Sequence, residues 1–147
     1  MNTPERHSLN RDEIEEILPH RGRALLLDKV DFDNEKTIGY LTVREEHCEG
    51  HFPGLPIMRG VDRIEMIALT LGVAAKTKLP EGYLSFLAKI GKTRFPAPAR
   101  PGDIIRSEVI VTKVSKRIIQ GSGKAFVGNQ LVAEVSELTC IINKMQT

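Results

Sequence analysis

The chain has 147 residues, 41% hydrophobic and 27% charged, with 21 basic side chains against 19 acidic ones for a net charge of +2. These values suit one globular domain over 1–147 and exclude a disordered polyelectrolyte, and the charge balance is too even for a protein that wraps nucleic acid. A chain this long buries about two thirds of its unfolded surface, so it needs neither a disulfide framework nor a structural metal.

The first nine residues are polar, carry no apolar signal-peptide core and read as frayed. Asn10 then reads as a helix N-cap, with Glu13 completing a capping box. Ile14, Ile17 and Leu18 follow at helical spacing until Pro19 ends the element. Residues 23–30 (RALLLDKV) and 36–45 (KTIGYLTVRE) are expected as strands joined by a turn at Asp31 to Glu35. Gly50, Pro53, Gly54, Pro56 and Gly60 make 50–60 a loop.

From Val61 to about Thr77 the pattern is helical, with Ile64, Ile67, Ala68, Leu71 and Ala75 on a core stripe. Residues 66–75 (MIALTLGVAA) are apolar nearly all round, so the helix is buried on most sides, and in a small protein a sheet must wrap it. The stretch is far short of the ~20 residues a bilayer span needs. Strands are expected over 83–95, 103–115, 117–127 and 130–143. Pro96, Pro98, Pro101 and Gly102 separate the first two, and Gly128–Asn129 makes a tight hairpin turn. The fold class is α+β, one antiparallel sheet wrapped around one long central helix. Such a sheet has two edges, which dimerisation could cover by continuing it. Cys48 and Cys140 fit no metal spacing; a reduced, cytoplasmic setting is the simpler reading, although two cysteines can pair.

Chemistry concentrates in Gly50 to Glu65, GHFPGLPIMRGVDRIE. His51 lies in a proline-stiffened loop and carries the one side chain that titrates near neutral pH. Glu65 lies 14 residues later in the first turns of the buried helix, where desolvation would raise its pKa and suit it to act as a general acid. Gly60 stands where loop becomes helix, so its N–H is an unsatisfied donor at the positive end of the dipole, able to hold an oxyanion. A base, an acid and an oxyanion donor suit proton abstraction next to a carbonyl. Taken singly, each has a plainer explanation: a structural histidine, a dipole-compensating glutamate, a turn glycine.

This run resembles the signature of the β-hydroxyacyl-acyl carrier protein dehydratases of bacterial type II fatty acid synthesis, G-H-F-P-G-x-P-I-M-P-G-V followed by a helical acid. Gly50, His51, Phe52, Pro53, Gly54, Pro56, Ile57, Met58, Gly60 and Val61 match, and Glu65 at the acidic position is similar to the non-isomerising branch. ILPHR at 17–21, LLLDKV at 25–30, RFPAPARPGD at 94–103 and LVAE at 131–134 resemble further family segments in the right order. The resemblance implies the hot-dog fold, a homodimer or trimer of dimers, and a site in which His51 of one chain meets Glu65 of its neighbour. It also implies dehydration of a (3R)-hydroxyacyl-acyl carrier protein to the trans-2-enoyl product, without metal or organic cofactor. His51 and Glu65 would be catalytic, with Gly60, Val61 and Phe86 against the substrate; Phe86 can equally be core.

Four positions depart from the family pattern. Arg59 stands for the usual proline, Asp62 and Arg63 for apolar residues, and Leu69 for a glutamine four residues after the acid. Asp62 and Arg63 could form a local ion pair. Lys89, Lys92, Arg94 and Arg100 cluster without an intervening acid, either as a docking patch for an acidic carrier or as a solvated surface. His7, His20 and His47 lack a setting like that of His51, and His20 is read as structural. The alternatives to a dehydratase are a hot-dog acyl thioesterase and a non-catalytic acyl-binding paralogue.

Overall fold

The computed structural model describes residues 7–32, 35–76, 79 and 82–144. Helix α1 (Arg11–Ile17) starts with the expected capping box: the Glu13 N–H donates to the Asn10 side chain at 2.9 Å, and the Asn10 N–H to the Glu13 carboxylate at 3.1 Å. Ahead of it, the segment expected to fray includes a strand, β1 (His7–Leu9), which pairs with β2 (Lys29–Phe32) at the sheet edge. The run 23–30 is not the expected strand. Gly22–Ala24 form one 3-10 turn, and the ladder begins only where the Asp28 N–H donates to the Tyr40 carbonyl at 2.7 Å. Leu25, Leu26 and Leu27 are all buried, so this apolar run plugs the core instead of alternating between two faces. β2 therefore takes up Asp31 and Phe32, which read as turn.

The remaining strands are β3 (Thr37–Thr42), β4 (Tyr83–Ile90), β5 (Thr93–Arg94), β6 (Ile104–Val114), β7 (Ile118–Val127) and β8 (Gln130–Lys144). They form one antiparallel sheet in the order β1-β2-β3-β6-β7-β8-β4, with β5 also on β8. The expected strand 83–95 is split at Gly91, whose N–H donates to the Glu137 carbonyl at 2.7 Å and where a Cβ would lie 3.0 Å from that oxygen. The hairpin at Gly128–Asn129 holds: Gly128 has φ +58°, and Val127 lies opposite Gln130.

Helix α2 (Gly60–Lys76) packs on β3, β6, β7 and β8 and touches α1. The expected end near Thr77 lies outside the described residues. Eleven of its residues are buried, from Arg63 to Ala75, as an apolar surface on most sides requires. The sheet reaches the helix closely through glycines on β7: a Cβ at Gly121 would stand 2.5 Å from Leu71 Cδ1 and 2.6 Å from the Ile110 carbonyl. Among the described residues, no helix is long and apolar enough to cross a membrane.

The clasp makes a direct prediction. The Ile110 carbonyl belongs to β6 and cannot retreat without opening the β6–β7 ladder, so Gly121→Ala overpacks the core. It should cost about 1–3 kcal/mol in denaturant unfolding, whereas an unchanged midpoint would show that sheet and helix are loosely apposed.

Candidate active site

The loop after Cys48 is folded by its own backbone. The His51 N–H donates to the Cys48 carbonyl at 2.9 Å, Phe52 and Leu55 exchange both N–H···O bonds, and the Ile57 N–H donates to the His51 carbonyl at 2.8 Å. Gly50 and Gly54 take the left-handed φ of +81° and +76° that this path needs. The imidazole Nδ1 of His51 lies 3.0 Å from the Ile57 carbonyl oxygen. A carbonyl can only accept, so Nδ1 carries the proton and Nε2 presents a bare lone pair. Phe52 stacks on the imidazole, with ring centroids 4.2 Å apart.

From Met58, whose N–H donates to the Ala99 carbonyl at 2.9 Å, the chain turns into α2. The Arg59 carbonyl accepts from the Asp62 and Arg63 N–H groups, so the N–H groups of Gly60 and Val61 are the helix's first and have no acceptor within it. A Cβ at residue 60 would come within 3.1 Å of the Phe95 ring, a tight fit that the ring would have to yield to. Val61 beside it is 61% exposed.

The departures resolve into two structures. Arg59 forks onto Asp62, Nε to Oδ2 at 2.9 Å and a terminal nitrogen to Oδ1 at 3.1 Å. The local ion pair is thus Arg59–Asp62 and does not involve Arg63. It cancels the cation that would oppose the helix dipole. Arg63 is instead buried, donating to the carbonyls of Ala97 at 2.7 Å and Val132 at 2.6 Å, with its guanidinium 5.1 Å from the Phe95 ring centre. Burial lowers its pKa.

Glu65, one turn into α2, is half-buried, and its carboxyl is pushed up chiefly by desolvation and further by Asp62. It lines a cavity of about 40 Å³ with Leu69, Ser85, Leu87, His20 and Cys140. The Cys140 thiol is pushed up to about 11 by burial and by the Glu65 charge. Cys48 and Cys140 are both buried free thiols, not a disulfide. Among the described residues, no three His, Cys, Asp or Glu side chains gather as a metal ion would need.

Within one chain, His51 does not line the cavity of Glu65. Phe86 is 52% exposed and does not line it either: on a strand, its neighbours Ser85 and Leu87 point to the other face, and they are the ones at the cavity. Sequence reading missed His20, Ser85 and Cys140. Only the ILPHR motif marked His20, and nothing in the spacing joins residues 20, 65, 85 and 140. A wider groove of about 500 Å³ lies on the loop's outer side, but Glu45, Glu46 and Glu49 line it and make a poor host for an acyl chain. Of the basic cluster, Arg94 is tied to Glu134 at 2.6 Å, while Lys89, Lys92 and Arg100 are exposed.

A family model described as a FabA-like domain matches residues 18–136. A 3-hydroxyacyl-[acyl-carrier-protein] dehydratase FabZ of Clostridioides difficile is 36% identical over 141 residues, covering 92% of this chain and 99% of that protein. The enzyme of the same name from Pelotomaculum thermopropionicum is 39% identical over 132 residues, covering 86% and 94%. Among solved structures, the dehydratase heterocomplex ApeI:P from Xenorhabdus doucetiae superposes with a TM-score of 0.70 at 16% identity, covering 91% of each chain. The fluoroacetyl-CoA thioesterase FlK superposes at 0.67 and 13% identity, covering 76% of this chain and 87% of its own. These two likenesses speak for the hot-dog fold alone. Matched by its family model over most of its length and by dehydratase relatives end to end, the chain belongs to the FabA-like family of hot-dog β-hydroxyacyl-acyl carrier protein dehydratases.

Proposed function

We propose that this protein dehydrates a (3R)-hydroxyacyl thioester carried on acyl carrier protein to the trans-2-enoyl thioester, in fatty acid or related acyl-chain biosynthesis. The observation that carries the reading is an imidazole whose Nδ1 is engaged by the Ile57 carbonyl, leaving Nε2 to act as base, together with a half-buried carboxyl whose pKa burial raises. Nε2 of His51 takes the proton from the α-carbon. That electron pair forms the new C=C bond as the bond from the β-carbon to oxygen breaks. Glu65 gives its proton to the departing oxygen, which leaves as water. The Gly60 N–H, at the positive end of α2, holds the thioester oxygen while negative charge builds on it. Proton return from imidazolium to carboxylate through solvent resets the site.

His51 does not line the cavity of Glu65 in one chain, and on the His51 loop the side chains of Phe52 and Leu55 stand 51% and 55% exposed. Both facts support a site completed by a second copy, with His51 of one chain facing Glu65 of the other. Apolar surface of this kind beside polar chemistry marks an interface.

The thioester assay separates the readings. With 3-hydroxybutyryl and crotonyl thioesters, enoyl absorbance should interconvert without thiol release; thiol release would make the protein a thioesterase, and neither signal a binding module. His51→Ala and Glu65→Gln should each cost on the order of 100-fold or more in kcat. Mixed after co-refolding, these two dead variants should recover about a quarter of wild-type activity, since half the random dimers carry one intact composite site. No recovery would place both residues in one chain's site.

The pH profile should fall on its alkaline side: Glu65 must hold its proton to act as the acid, so activity is lost as pH rises through its raised pKa. In Glu65→Gln, residual activity should lack the alkaline limb; a limb that persists assigns it to another group.

Docking of an acidic carrier on Lys92 and Arg100 should appear as a raised KM for carrier-bound substrate in the double charge reversal, with a short thioester analogue unaffected. Equal effects on both substrates would reject the patch. Arg94 is a poorer probe, because its reversal also breaks the pair with Glu134.

A further inference from the structure

Arg63 stands one turn into α2, where the family pattern has an apolar residue, and it is only 6% exposed. Among the described residues no carboxylate compensates its charge, and burial alone lowers its pKa. Its Nε is covered and bonds to no protein group. A cation in that state costs stability that an apolar side chain of similar size would not. What it does contact is specific. One terminal nitrogen donates to the Ala97 carbonyl at 2.7 Å and to the Val132 carbonyl at 2.6 Å, so the side chain ties the helix start both to the segment 95–99 and to β8. That segment meets the junction of loop and helix at two further points. The Ala99 carbonyl accepts from the Met58 N–H at 2.9 Å. The Phe95 ring, its centre 5.1 Å from the Arg63 guanidinium, fills the space that a Cβ at residue 60 would need.

These contacts converge on one peptide group. The Arg59 carbonyl and the Gly60 N–H belong to the same planar unit, so whatever orients one orients the other. The carbonyl accepts from the Asp62 and Arg63 N–H groups at 3.1 and 3.3 Å, at the long end of the range for such bonds. The Phe95 ring against Gly60 adds the restraint that these two bonds leave weak. We propose that Arg63 is a positioning residue for the oxyanion donor: by fastening the segment 95–97 to β8 it keeps Phe95 on Gly60 and fixes the direction of the Gly60 N–H. This rests on the dehydratase reading and names a residue that serves its oxyanion donor. Arg63 touches no substrate atom and moves no proton. A donor held in place beforehand acts most on charge that builds during the reaction, so loosening it costs rate more than binding.

The test uses the full chain with 3-hydroxybutyryl and crotonyl thioesters. Arg63→Met supplies an unbranched apolar side chain; Phe95→Leu leaves the Arg63 hydrogen bonds their partners and removes the ring. Each should lower kcat on the order of tenfold with KM within about twofold. The double variant should be no slower than the slower single one, because the two residues act in series. A second readout is the carbonyl stretching frequency of isotope-labelled crotonyl thioester bound to Glu65→Gln protein, where turnover is blocked. The Gly60 hydrogen bond lowers that frequency, and either substitution added to this background should move it back toward that of the unbound thioester. A loss of stability alone leaves the frequency in the folded protein where it was. Wild-type kcat in either folded variant, losses that multiply in the double variant, or a lower kcat with an unmoved frequency each overturn the assignment. If Arg63→Met does not fold, Phe95→Leu decides by its kcat and its frequency. A wild-type protein that forms no enoyl product overturns the dehydratase reading and this inference with it. An active wild type whose frequency neither substitution moves overturns this inference alone.

Discussion

The structure depends on covering a helix that has almost no polar face. Eleven buried residues along α2 leave the sheet no choice but to curve onto it, and the glycines of β7 let it come close. Into this apolar cover the helix carries one carboxyl group, Glu65. The burial that stabilises the fold is the same burial that raises the pKa of the acid, so folding and chemistry draw on one physical effect.

The base is prepared by a different means. His51 sits partly buried on a loop of prolines and left-handed glycines, where a hydrogen bond does the selecting. The Ile57 carbonyl accepts from Nδ1 and leaves Nε2 as the free lone pair. An acid tuned by burial and a base tuned by tautomer can coexist at one pH without neutralising each other while they reside on different parts of the fold. The chain places His51 outside the cavity of the acid, on a loop with exposed Phe52 and Leu55.

The residues that depart from the family pattern are compensated locally. Arg59 brings a cation to a helix start that disfavours one, and Asp62 removes its effect with a two-pronged bond. Arg63 donates from one terminal nitrogen to both the Ala97 and Val132 carbonyls and sets its guanidinium near the Phe95 ring. It thereby braces the segment whose aromatic ring touches Gly60, and the helix start keeps its open N–H groups.

Much was legible in the order of residues because it depends on near neighbours. The capping box at Asn10 and Glu13, the Gly128–Asn129 hairpin, the loop 50–60 and the all-round apolar helix each follow from local backbone chemistry and spacing. Where a run lacked a period, reading failed: Leu25 to Leu27 are apolar without alternation, and only packing made them a plug instead of a strand. The tilt of β4 that turns Ser85 and Leu87 toward Glu65 and Phe86 away is a matter of register, invisible without the partner strand. The sequence by itself determined the candidate base, the candidate acid and the helix between sheet and solvent, because side-chain chemistry and apolar period are local properties. Only the tertiary structure decided that His20 and Cys140 share the acid's cavity and that His51 does not, because which distant residues meet is set by how the sheet closes over the helix.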